Sequence, residues 1–142
     1  MSSRLVEPAH VRLDLAATSR DGAAWSVAEL LRGDPRIGSW DAFRASIGPK
    51  QIVDLKGRVC LAHGRDETVR DLALVAGRLP ADASPDLPRY VFVFAIPFAM
   101  AEDYLRAVGA LARACGEEKS MAALDKAVTP DDFAEALEEL LG

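Results

Sequence analysis

The chain has 142 residues and a mass of 15.2 kDa, the size of one ordinary domain spanning residues 1–142. Its net charge of −5 at pH 7 argues against general nucleic-acid binding, which rests on cationic neutralisation of phosphates. No apolar run reaches the roughly 18 residues of a membrane span, and the amino-terminal Met1–Pro8 lacks an apolar signal core, so a soluble cytoplasmic protein without membrane insertion is expected.

In chain order, residues 11–15 (Val-Arg-Leu-Asp-Leu) alternate apolar and polar as a short strand or an extended entry segment does. Thr18 with Asp21 has the spacing of a capping box, which predicts a helix running to about Gly33. Asp34-Pro35 forms a turn, and Ser39 caps a second short helix carrying Trp40, Phe43 and Ile47 that Gly48-Pro49 ends. Residues 59–62 and 72–76 are apolar runs of strand length, separated from the next strand by a proline-rich loop over Leu79–Pro88. Residues 90–96 (Tyr-Val-Phe-Val-Phe-Ala-Ile) are the strongest strand, and their unbroken apolar character predicts burial on both faces at the centre of a sheet.

After Pro97 the period changes. Leu105, Val108, Leu111, Ala112 and Cys115 recur at helical spacing until Gly116, and Met121 with Leu124 marks a shorter helix. Thr129-Pro130-Asp131-Asp132 starts a last helix that buries Phe133, Leu137 and Leu140. Strands alternating with helices predict an α/β domain, a three-layer α/β/α sandwich with a mixed sheet flanked by helices on both faces. Trp25, Trp40 and Phe133 are expected in packing, and Cys60 and Cys115 as reduced, buried thiols.

Charge is unevenly spread. Residues 44–78 carry seven bases and four acids, a local net of +3, whereas residues 117–142 carry a net of −6. The two stretches read either as solvated surfaces of opposite sign or as an anion site inside an acidic protein. There is no glycine-rich phosphate loop, no Ser-His-Asp ordering, and no metal or cofactor motif. His10 reads as an exposed polar residue. His63 follows an apolar run and precedes Gly64, a small neighbour that allows a close approach, with Arg58, Arg65 and Arg70 nearby in sequence. That pattern suits a functional imidazole at the mouth of a sheet, and equally a hydrogen-bonded strand-end histidine.

Residues 58–65, Arg-Val-Cys-Leu-Ala-His-Gly-Arg, resemble the phosphorylation-site segment of enzyme IIA domains of the bacterial phosphotransferase system. The similarity is to the fructose/mannitol and nitrogen-regulatory branch, whose segment reads apolar-Ala-Ile-Pro-His-Ala/Gly-Arg/Lys. It extends along nearly the whole chain, through residues 13–19, 41–43, 72–79, 90–97, 103–112 and 129–133. The resemblance implies a phosphocarrier whose histidine, here His63, accepts a phosphoryl group from the histidine-containing phosphocarrier protein. It would then pass the group to a IIB domain or a regulatory target. Lys50, Arg58, Arg65 and Tyr104 are expected to support the phosphate, with no cofactor and no metal; a homodimer is compatible with the chain.

The sequence also departs from the family. Ala62 replaces a proline, Lys50 aligns with the family's arginine, and Tyr104 aligns with its second site histidine. The glycine-rich approach to the histidine is replaced by the shorter residues 52–57, which would cost phosphate donors. A retained acceptor in a remodelled shell admits a second reading: a regulatory or binding module with the same fold that acts by protein contact.

Overall fold

The structure is a computed structural model that describes residues 5–142. Its centre is a mixed five-stranded sheet: β1 (Val11–Arg12), β2 (Ile52–Leu55), β3 (Val59–Arg65), β4 (Ala73–Arg78) and β5 (Tyr90–Ile96), in the order β1-β4-β5-β3-β2. β5 lies in the middle, parallel to β3 and antiparallel to β4, and all seven of its residues are buried. That is where an unbroken run of β-branched and aromatic side chains is stable, because both faces are covered. One face is covered by α1 (Arg20–Ala28) and α2 (Trp40–Ser46), the other by α3 (Ala101–Cys115), α4 (Glu118–Lys126) and α5 (Pro130–Leu141). The three-layer α/β/α expectation holds.

Pleating sorts the side chains between two cores. In β3, Cys60 and Ala62 join the core under α1 and α2, while Val59 and Leu61 join the core under the carboxy-terminal helices. By the same alternation His63 and Arg65 belong to the α3 face and Gly64 to the α2 face.

Helix starts follow from capping hydroxyls. Ser39 accepts from the Ala42 N–H at 3.2 Å, and Thr129 from the Asp132 N–H at 3.1 Å. At α1 the cap is Ser19, accepting from the Gly22 N–H at 3.0 Å, and not Thr18 as the capping-box spacing predicted. Both residues are hydroxyl caps one position apart, and only the backbone path selects between them.

Three further expectations are corrected. The strand over 11–15 shortens to Val11–Arg12, because Asp14 takes a left-handed φ of 55° and turns the chain. Residues 52–55, expected only as part of a shortened approach to the histidine, form an edge strand with Ile52 opposite Ala62. The buried stripe of α3 is rotated: Leu111, Ala114 and Cys115 are buried, but Leu105 is 63% exposed and Ala112 is exposed. The tryptophans are half-buried against the α1/α2 core, Trp40 lying 5.9 Å from Phe43, and Phe133 is fully buried.

Candidate functional site

His63 is the fifth residue of β3, inside the strand rather than just beyond it. The glycine after it is required by the fold. A Cβ on Gly64 would lie 2.6 Å from Phe43 Cε1, 2.7 Å from Ser46 Oγ and 2.8 Å from Ile47 Cγ1. The close approach that Gly64 permits is therefore that of α2 onto the sheet. With α2 seated against the back of β3, the His63 imidazole faces α3.

On that face Tyr104 packs over it. The two ring centroids are 5.6 Å apart at 38°, and Tyr104 also meets Phe94 edge-on at 5.2 Å. Phe94 is the strand partner of His63 in β5, so strand register and the first turn of α3 together fix the tyrosine. His63, Arg65, Ile96, Ala101, Tyr104 and Leu105 line a concave depression of about 240 Å³. Neither ring nitrogen of His63 hydrogen-bonds a described residue. Since no fully buried side-chain nitrogen or oxygen among those residues lacks a partner, both nitrogens reach solvent. Burial pushes the His63 imidazole below its ordinary value of 6.5 and the Tyr104 phenol above its own of 10.0. The ring is half-buried, and that burial favours its neutral form.

The four supporting residues separate. Tyr104 and Arg65 share the depression with His63. Arg65 is exposed; its Nη2 donates to the Phe98 carbonyl at 3.0 Å, and its guanidinium lies 4.9 Å from the Phe98 ring centre. Lys50 is exposed in a short helical turn, Pro49–Gln51, leading into β2 at the His63 end of the sheet, but does not line the depression. Arg58 is in the wrong place. It precedes β3, about 17 Å from His63 by strand rise, and its Nη2 donates to the carbonyls of Ser84 and Leu87. Proximity in sequence misled here, since an extended strand carries its two ends apart. The same geometry corrects the reading of residues 52–57. Their turn, with Gly57 and Arg58 at φ of 79° and 59°, closes at that far end and takes no donor from the depression.

Two residues of the rim escaped the sequence reading. Phe98 is 55% exposed beside Arg65, and Leu105 lines the depression instead of the core. A phenylalanine directly after the strand-ending Pro97 was the available signal.

His10 is corrected too. Its side chain is 16% exposed, with Nε2 3.0 Å from Asp34 Oδ2 and Nδ1 3.4 Å from Arg36 Nη2. Arg36 also grips both Asp34 oxygens, at 3.0 and 2.9 Å, and holds that carboxyl down to about 2. This cluster borders a cavity of about 620 Å³, which Met100 and Asp103 also line. Cys60 and Cys115 are buried free thiols, pushed up to about 12 and about 11 by burial. Among the described residues no three His, Cys, Asp or Glu side chains cluster as a metal site requires, and no helix is long and apolar enough to cross a membrane.

No protein-family model matches the sequence, and a search of curated proteins finds no match. The structure, by contrast, superimposes on solved ones. It is similar to the nitrogen regulatory protein IIA-Ntr from Neisseria meningitidis, with a TM-score of 0.70 and 18% identity over 97% of each chain. It is also similar to IIA mannitol from Escherichia coli, with a TM-score of 0.63 and 15% identity over 93% of this chain and 98% of that one. At this level of identity the shared property is architecture: the chain has the fold of phosphotransferase-system enzyme IIA domains of the mannitol and nitrogen-regulatory branch.

Proposed function

We propose that the chain, as one domain over residues 1–142, is a phosphocarrier that accepts a phosphoryl group on His63 and passes it to a protein acceptor. The observation that carries this reading is the His63 ring itself. It is half-buried, biased toward its neutral form by that burial, free of hydrogen bonds to the described residues at both nitrogens, and open to a depression lined by Arg65 and Tyr104.

The attacking nitrogen uses its lone pair to form an N–P bond while the donor's N–P bond breaks. The donor histidine, protonated on its other ring nitrogen, leaves as a neutral imidazole. The positive charge developing on His63 is relieved by loss of the proton on its own second nitrogen. Charge spread over the equatorial oxygens calls for nearby cations, and Arg65, which lines the same depression, is the first candidate, with Lys50 at the same end of the sheet. Tyr104 excludes water from one face of the ring, and its hydroxyl supplies a donor. The exposed Phe98 and Leu105 give the rim the modest apolar character that suits a transient protein partner. The donor of this reading is the histidine-containing phosphocarrier protein. The acceptor is a cysteine of a IIB domain or a regulatory target.

Tyr104 favours a second reading, a contact-based regulator, because tyrosine cannot supply the cationic charge of a second histidine beside the phosphate. Intact-mass measurement after incubation with phosphoenolpyruvate, enzyme I and the phosphocarrier protein separates the two. A gain of about 80 Da, the mass of one phosphoryl group, that disappears in His63→Ala supports the carrier. No gain in the wild type leaves the regulator.

A further inference from the structure

We propose that Phe98 is a positioning residue for phosphoryl transfer at His63, acting through Arg65; the proposal rests on one part of the carrier reading, His63 as the phosphoryl acceptor. Arg65 lies two residues beyond His63 on the same face of β3 and lines the same depression. Its guanidinium pairs with no carboxylate among the described residues. Among the described residues Phe98 alone fixes it, through the carbonyl at Nη2 and the ring face 4.9 Å away. One N–H of the fork is thereby occupied and the others donate to no described residue, which leaves them for phosphoryl oxygens.

Phe98 has no other evident reason to be there. It is 55% exposed, in the short turn Phe98–Met100 between β5 and α3, and joins neither core. An exposed aromatic ring stacked on an unneutralised arginine costs the arginine rotamer freedom in advance, so less is lost when an anion arrives.

The test uses phosphoramidate, which phosphorylates histidine without a protein partner: its N–P bond breaks, ammonia leaves, and the N–P bond to His63 forms. Rates are followed by intact mass for the wild type, Phe98→Ala, Phe98→Tyr, Arg65→Gln and the double variant Phe98→Ala/Arg65→Gln, each checked for an unchanged melting temperature. Phe98→Ala keeps the carbonyl and removes the ring; its rate should fall roughly three- to fivefold, the worth of an exposed cation–aromatic contact. Phe98→Tyr should stay within about twofold of wild type, and Phe98→Ala should have no further effect once Arg65 is glutamine. A normal rate in Phe98→Ala overturns the proposal. So does an equal loss in both Arg65 backgrounds, or failure of the wild type to react with phosphoramidate. The same proteins charged by the phosphocarrier protein test the carrier reading separately. If the protein donor fails while the phosphoramidate coupling holds, the carrier is wrong and the positioning role of Phe98 stands.

Discussion

The two histidines occupy comparable positions and opposite chemical states. Both are partly buried, and both depressions touch the first turn of α3. His10 has both ring nitrogens engaged, one by Asp34 and one by Arg36, in a cluster that ties the amino-terminal segment to the turn before α2. His63 has neither nitrogen engaged by a described residue, and no described carboxylate lines its depression. Among the described residues its neighbours are Tyr104, Ile96 and Leu105 on one side and one cation, Arg65, on the other. A histidine saturated by partners is a structural tie. One that is desolvated but unpaired keeps a lone pair for an electrophile, and the surrounding cation selects an anionic one.

The largest expected difference is in reactivity. His63→Ala should lose phosphoryl acceptance completely, and His10→Ala should retain it at the wild-type rate, both read by intact mass. Equal loss in the two variants would erase the distinction between tie and nucleophile.

The next effect is structural and specific to the His63 side. Gly64→Ala places a methyl group 2.6–2.8 Å from Phe43, Ser46 and Ile47, closer than packed atoms allow. It should lower stability by about 1–3 kcal/mol in urea unfolding, as overpacking does. An unchanged midpoint would mean that α2 is not seated on β3 as described.

On the His10 side, Asp34→Asn should cost about 1.5–3 kcal/mol, the usual worth of charged hydrogen bonds, with no change in phosphorylation rate. The sign with pH follows from the held-down carboxyl. Folded Asp34 titrates at about 2 against an ordinary 3.8, so its stabilisation is fully present above 3.8 and is lost as pH falls toward 2. Acid unfolding of the wild type and Asp34→Asn should therefore converge over that window.

The smallest effect is a titration shift. Because burial lowers the His63 midpoint below 6.5, the ring should still be unprotonated where an exposed histidine is half-charged. Tyr104→Ala, which opens the ring to water, should move the midpoint upward toward 6.5, as read by NMR of the imidazole. A wild-type midpoint above 6.5 would place an unrecognised anion beside His63.

The sequence by itself carried the layering and the candidate histidine. A run of seven apolar, β-rich residues at 90–96 has only one stable location, between two helical layers, and the caps at Ser39 and Thr129 are local hydrogen bonds that need no tertiary context. His63 was legible because a short motif sits within one strand. Whatever depended on which strand end, or which helix face, meets which was decided only by the tertiary structure. Arg58 and His63 are five residues apart in sequence, yet extended backbone carries them to opposite ends of β3. Leu105 fits the helical stripe of α3, but the helix is rotated so that Tyr104, Leu111 and Cys115 face the sheet, which leaves Leu105 on the rim of the site. His10, Asp34 and Arg36 are polar groups with no sequence pattern in common; packing of the amino-terminal segment against the turn before α2 brings them together. Periodicity and capping are short-range physics, and so they are written locally; strand direction, helix rotation and long-range ion pairs are set by the sum of the packing.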